Sequence, residues 1–245
     1  MTEQYPIFIS LRDRLEPLQT LLNWLDRVNQ REIWLIDNDS TYPPLVEFLS
    51  TTEHRVVRSG RNWGSRAPWL TGTIQRVARN RYFVVTDPDV VPDDECPLDA
   101  LDYFRSILDR HLDLHKAGFG LRIDDLPERY ALAADVVAWE TQFWERPIEP
   151  GLYAAPIDTT FALYRPMRRH SDSPAVRTGA PYLARHLPWY VDSSNLSEED
   201  RYYRERADPF MSNWNGDQPP LWKQRWLERH RPDHAKPKLT DGDTK

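Results

Sequence analysis

Short apolar runs alternate along the chain with amphipathic stretches. "PIFISL" reads as a strand and is followed by "LEPLQTLLNWLDRVN", in which Leu18, Leu21, Leu22 and Leu25 recur at helical spacing. "EIWLID" predicts a second strand, and "STYPPLVEFLS" a short helix with Ser40 or Thr41 as cap and its prolines in the first turn. "HRVVRSG" is a third strand, "NWGSRAPWLTGTIQRVARN" is predicted helical from about Ser65, and "RYFVVTD" is a fourth strand. "PLDALDYFRSILDRHL" and "AGFGLRI" continue the series as helix and strand, and "PERYALAADVVAWETQFWE" and "TTFALYRP" repeat it. Beyond these, "MRRHSDSPAVRTGAPYLARHLPWYVDSSNLSEEDRYYRERADPF" reads as a loop and helix subdomain laid across a sheet.

Strand and helix units in this order, with central strands apolar throughout, predict an α/β fold. It is a single Rossmann-like domain over residues 1–231, with a mostly parallel sheet covered by helices on both faces. A first half of about 1–115 and a second half of about 116–231 are expected. Residues 232–245 carry few apolar side chains and are expected to be a disordered tail.

The chain has 245 residues and is 40% hydrophobic, enough for a sizeable core. Its net charge of −6 offers no overall pull toward nucleic acid, and no run approaches the roughly 20 apolar residues of a membrane span. The single cysteine, Cys96, allows no internal disulfide and no thiolate metal site, which fits a cytoplasmic setting. Ten tryptophans serve a large core or a surface that stacks on sugars.

Candidate chemistry gathers where the strands end. Ligands in open α/β sheets bind at the carboxyl ends of strands. Arg12 and Asp13 follow the first strand, Asp37, Asn38 and Asp39 the second, and Asp87 and Asp89 the fourth. In "VVTDPDVV" the two carboxylates alternate about Pro88, so an extended backbone would aim both to one side. Such a pair suits Mg²⁺ or Mn²⁺ carrying a nucleoside diphosphate; the competing reading makes both residues turn and helix caps.

"PIFISLRDR", "WLIDNDS", "GRNWGSRAPW" and "VVTDPDVV" follow one another as the corresponding segments do in GT-A type glycosyltransferases, and the first hundred residues resemble the family 2 enzymes of that group. The resemblance implies a nucleoside diphosphate-sugar donor, most naturally a UDP-sugar. Arg12 and Asp37 would face base and ribose, Asn62 and Arg66 the nucleotide or its phosphates, Asp87 ribose or metal, and Asp89 the metal. "APW" departs from the family's usual continuation after Asn-x-Gly.

The second half must supply a third metal ligand and the acceptor side. His186, in "RHLPWY", is the candidate ligand, by analogy with enzymes of this type that recruit a C-terminal histidine. A carboxylate that accepts the proton of the attacking hydroxyl is expected at Asp158, with Asp125 as alternative. Aromatic side chains in "FWERP" and "HLPWY" would wall the acceptor, a glycan or glycoconjugate hydroxyl, with peripheral membrane contact if that acceptor is lipid-linked. Two other readings are a sugar-nucleotide nucleotidyltransferase, disfavoured by the absence of glycine in "SLRDRLEP", and a non-catalytic binding module of the same fold.

Overall fold

Ile7–Leu11 (β1) is buried at every position, as a strand covered on both faces must be. A computed structural model of the protein describes residues 3–158, 161–208, 214, 216 and 218–230. In chain order β1 is followed by α1 (Glu16–Arg27), β2 (Ile33–Asp37), α2 (Pro43–Thr51), β3 (Arg55–Arg58), α3 (Ala67–Leu70), α4 (Thr73–Val77), β4 (Phe83–Thr86) and β5 (Val90–Pro92). The second half contributes α5 (Ala100–Arg110), β6 (Lys116–Leu121), α6 (Ala133–Glu140), β7 (Pro147–Glu149), β8 (Leu152–Ala154), β9 (Ala162–Tyr164), β10 (Ala175–His186), α7 (Glu198–Arg206) and α8 (Leu221–His230).

The strands form one sheet in the order β3-β2-β1-β4-β9-β6-β10-β8-β7, with β5 paired to β10. The first four in that row are mutually parallel. β9 runs antiparallel between β4 and β6, and β10 is parallel to β6. Alternation along the strands divides the interior in two. Ile7, Ile9 and Leu11 join Leu35 and Val84 in one cluster, while Phe8 joins Ile36, Phe83 and Val85 in the other. In α1, Leu18, Leu21, Trp24 and Leu25 bury one stripe against the first cluster, and Leu22 packs at its margin.

Several local expectations change. Ser40 and Thr41 do not cap α2; the Asp13 carboxylate, held at a positive φ of 51°, accepts from Thr41 N at 2.6 Å and Tyr42 N at 2.7 Å. The helix expected from Ser65 is broken by Gly72, whose φ of +70° separates α3 from α4. The stretch expected to be loop contains β10, where a register shift between Thr178 and Leu183 divides the strand and hides its pattern behind Gly179 and Pro181. The tail 232–245 lies outside the described residues. Among them no helix is long and apolar enough to cross a membrane.

α7 is tied back to the segment that follows β1. Glu199 of α7 accepts from Leu15 N and Glu16 N at 2.8 and 3.1 Å, satisfying donors that every helix start leaves open. Arg14 binds Asp200 at 2.6 Å and lies 4.0 Å over the Tyr203 ring. These contacts hold α7 over the carboxyl end of β1.

Candidate functional site

A cavity of about 570 Å³ opens at the carboxyl ends of β1 and β4, within the range of small-molecule sites. Its first wall is built by Arg12, Asn38, Asn62 and Gly64. Asn38 fixes this wall: Nδ2 donates to Ser10 Oγ at 2.9 Å and to the Gly64 carbonyl at 3.2 Å, and Oδ1 accepts from Trp63 N at 3.0 Å. Asn62 Oδ1 accepts from Gly64 N at 2.9 Å, and Gly64 takes a φ of 58°, a left-handed turn that favours glycine. Arg12 Nε is buried, with no hydrogen-bond partner among the described residues and Asp13 Oδ2 at 3.7 Å.

The floor holds the acidic pair. Asp87 and Asp89 both line the cavity, but from a turn between β4 and β5 and not from an extended strand. β5 pairs antiparallel with the end of β10, placing His186 opposite Val90, and the Leu187 N–H donates to the Asp89 carbonyl at 2.8 Å. His186 Nε2 consequently lies 3.8 Å from Asp89 Oδ1. Burial depresses the imidazole pKa; Asp89 opposes this, and the charges of Arg14 and Lys223 reinforce it. The ring is therefore neutral at pH 7, with a lone pair free to bind a cation.

Oxygen and nitrogen donors that share a small divalent ion at roughly 2.1 Å each stand about 3 to 4 Å apart, which the Asp89–His186 separation fits. Nδ1 of His186 is buried without a hydrogen-bond partner among the described residues. Among the described residues no group of three His, Cys, Asp or Glu side chains is gathered to hold an ion alone. A cation here would draw its remaining ligands from water and a bound phosphate, as Mg²⁺ sites commonly do.

Asp158 reaches the same cavity from the other side. Its side chain is 71% exposed and stands 3.9 Å from His170 Nε2. The segment before it is anchored by Lys116, whose Nζ donates to the Ile157 and His170 carbonyls at 2.7 Å each. Burial lowers the Lys116 pKa to about 8. His170 is also lowered by burial; Asp158 opposes, while Lys116 and Arg66 add to it.

The far wall comes from the second half of the chain. Arg177 of β10 pairs with Glu140 of α6 at 2.9 Å, both almost fully buried, and lies 4.1 Å over the Phe143 ring. Lys223 of α8 is 4% exposed and faces Trp139, Trp214 and Trp222. Of the expected aromatic wall, Phe143 and Trp189 line the cavity. Trp144 packs on Tyr153 at 5.1 Å, and Tyr190 donates to Asp125 at 2.6 Å.

Three expected residues do not line the cavity. Asp37, 3% exposed, accepts from Ser40 N and from Arg58 at 2.9 Å each, which makes it an anchor between β2, the following turn and β3. Arg66 follows Ser65 on the first wall and acts on the site through its field at His170. Asp125 lies in a cluster with Arg185 at 2.8 Å and Tyr190; burial raises its pKa, but those hydrogen bonds outweigh burial and hold it below the usual carboxylate range. Asn38 stood among the strand-end residues without an assigned role, and Glu140, Arg177 and Lys223 were not expected from the sequence. Polar residues inside apolar helical or strand patterns, as in "AWETQFW" and "AVRTGA", were the available signal.

No protein-family model matches the chain, and no curated protein does. Among solved structures it matches Staphylococcus aureus TarS residues 1–349 with 12% identity and a TM-score of 0.39, covering 66% of this chain and 47% of that one. It matches glucosyl-3-phosphoglycerate synthase of Mycobacterium tuberculosis, in a structure with Mn²⁺, UDP and glucosyl-3-phosphoglycerate, with 13% identity and a TM-score of 0.40. That match covers 65% of this chain and 56% of the other, so the chain spans about half the length of these proteins. A glucose-1-phosphate thymidylyltransferase structure from Bacillus anthracis matches over 93% of this chain and 84% of that one, with 13% identity and a TM-score of 0.35. Likeness at this level transfers no residue roles.

Proposed function

We propose that the protein is a metal-dependent glycosyltransferase that moves a sugar from a nucleoside diphosphate-sugar, a UDP-sugar in the first instance, to an acceptor hydroxyl. The observation that carries this reading is the convergence of Asp89, His186 and Asp158 on one cavity at the strand ends. Two of them form an O,N donor pair suited to Mn²⁺ or Mg²⁺. The third is a separate carboxylate that does not share that pair's close contact.

In this reading Arg12, Asn62 and the Asn38-braced loop receive the nucleoside, and Asp87 assists on the ribose or the cation. Asp89 and His186 hold the ion, which when bound neutralises charge on the departing diphosphate. Asp158 accepts the proton of the acceptor hydroxyl as its oxygen bonds to the anomeric carbon and the diphosphate leaves with the bonding electrons. Its exposure keeps the carboxylate accessible. Asp125, already saturated by Arg185 and Tyr190, takes no part.

Incubation with a panel of nucleoside diphosphate-sugars and Mn²⁺ tests the proposal through release of nucleoside diphosphate with and without glycan acceptors. Release that requires both Mn²⁺ and one class of donor supports it. Binding of sugar nucleotides with neither hydrolysis nor transfer would instead favour a non-catalytic module.

A further inference from the structure

The cavity's far wall contains a buried cation with no assigned partner. We propose that Lys223, caged by Trp139, Trp214 and Trp222, forms an anion-binding subsite that receives a phosphate or carboxylate carried by the acceptor. This deepens the glycosyl-transfer reading above and rests on it for the word acceptor, though not for the anion.

Three observations carry the inference. Lys223 Nζ stands 4.7 Å from the Trp139 ring, 3.9 Å from Trp214 and 5.4 Å from Trp222, yet makes no hydrogen bond or ion pair among the described residues. Ring faces attract an ammonium without neutralising it. The nearest acid on that wall, Glu140, is already bound to Arg177 at 2.9 Å, which leaves two cations sharing one carboxylate. The elements of this wall thus carry two cations against one carboxylate, and Asp158 acts on Lys223 through its field without an ion pair among the described residues.

Comparison with Lys116 separates this from a structural lysine. The chain's five lysines are Lys116, Lys223, Lys236, Lys238 and Lys245, so arginine supplies nearly all its other fixed cations. Both described lysines are buried. Lys116 spends its donors on two carbonyls, at 2.7 Å each, and joins two segments of chain. Lys223 Nζ joins no second segment by a hydrogen bond or ion pair among the described residues; it is left to the tryptophan rings and the cavity. Burial lowers its pKa to about 8, with Glu140 and Asp158 opposing.

The acceptor is the favoured source of the anion because of where the wall lies. Donor phosphates would be met at Asp89 and His186, on the floor formed by β5 and the end of β10, whereas Lys223, Trp139 and Glu140 come from α8 and α6. Among the described residues, Arg177, Glu140, Asp158 and His186 are charged or titratable groups facing this region, with Arg14, Asp89, Tyr203, Arg206 and Asp208 lining the same cavity.

Calorimetry with glucose 1-phosphate, glucuronate and neutral glucose tests the subsite, in the presence and absence of saturating UDP with Mn²⁺. Both anions should bind at least about tenfold more tightly than glucose at pH 7, keep that affinity when UDP is present, and lose it on Lys223→Met. The affinity should also fall as pH rises above about 8, when Lys223 loses its proton. Because the variant removes a largely buried charge that forms no ion pair among the described residues, its melting temperature should hold or rise. If the variant does not fold, the pH titration of the unaltered protein decides. Equal affinity for glucose, or pH-independent anion binding, overturns the subsite. Loss of anion binding on adding UDP assigns Lys223 to the donor diphosphate and overturns the acceptor source. Failure of UDP to bind, with Lys223-dependent anion binding retained, refutes glycosyl transfer and keeps the anion subsite.

Discussion

The imidazole of His186 lies 3.8 Å from the carboxylate of Asp89 because β10 pairs back onto β5, with His186 opposite Val90. Two residues far apart in sequence thereby become the floor of one cavity. Backbone pairing sets their separation, and the Leu187 to Asp89 hydrogen bond of 2.8 Å secures it.

His186 should report its own protonation. Burial holds its pKa below the ordinary 6.5, so Mn²⁺ affinity should persist below pH 6.5 and fail as the pH drops through the lowered value. The unfolded chain takes up this proton first, at 6.5, so the same shift removes stability as pH falls from 6.5 toward the folded value. His186→Gln should flatten the pH dependence of Mn²⁺ binding, measured by calorimetry, and reduce the loss of melting temperature between pH 7 and pH 5.

Asp158 should separate chemistry from binding. Asp158→Asn removes the proton acceptor but keeps the shape, so turnover should fall by roughly 10²–10⁴-fold while UDP affinity stays within about twofold. Single-turnover transfer assays read the first and calorimetry the second. Unchanged turnover would leave the acceptor proton to solvent.

The Glu140–Arg177 pair should be structural and severe when halved. Both side chains are about 6% exposed. Glu140→Ala leaves the guanidinium buried without its carboxylate, for a loss of about 3 to 5 kcal/mol in denaturant unfolding. Replacing the two together, Glu140→Leu with Arg177→Met, should cost much less, and equal losses would mean that the charges are not coupled.

The first half of this site was legible because its chemistry follows regular strands. "PIFISL", "EIWLID" and "RYFVVTD" announce themselves by apolar runs that stop at polar residues, and Arg12, Asn62, Asp87 and Asp89 fall at the cavity as a result. The second half obeys a different logic. β10 is interrupted by Gly179 and Pro181 and changes register there, so its pattern is that of a loop, although it sets His186 in place. Lys223 and Glu140 lie on short helices whose polar residues look solvent-facing until the tryptophans close over them. Asp37 shows the opposite limit: its position at a strand end was right, but Arg58, two strands from β1, could be found only in the folded sheet.

Asp37 should accordingly matter to stability. Its carboxylate holds the Ser40 N–H and the half-exposed Arg58 guanidinium. Asp37→Ala should lower stability by about 1 to 3 kcal/mol in urea unfolding, mostly through the lost backbone acceptor. A fall in UDP affinity with an unchanged melting temperature would return the residue to nucleoside recognition.

Calorimetric titration of UDP into the protein with Mn²⁺, compared with Asp89→Asn, tests the central claim most directly. Asp89→Asn is nearly isosteric and lies in a turn, so the fold should survive while one donor of the O,N pair loses its charge. UDP affinity that depends on Mn²⁺ in the unaltered protein and falls by at least about tenfold in the variant is the predicted result. Unchanged Mn²⁺-dependent UDP binding by folded Asp89→Asn would contradict it.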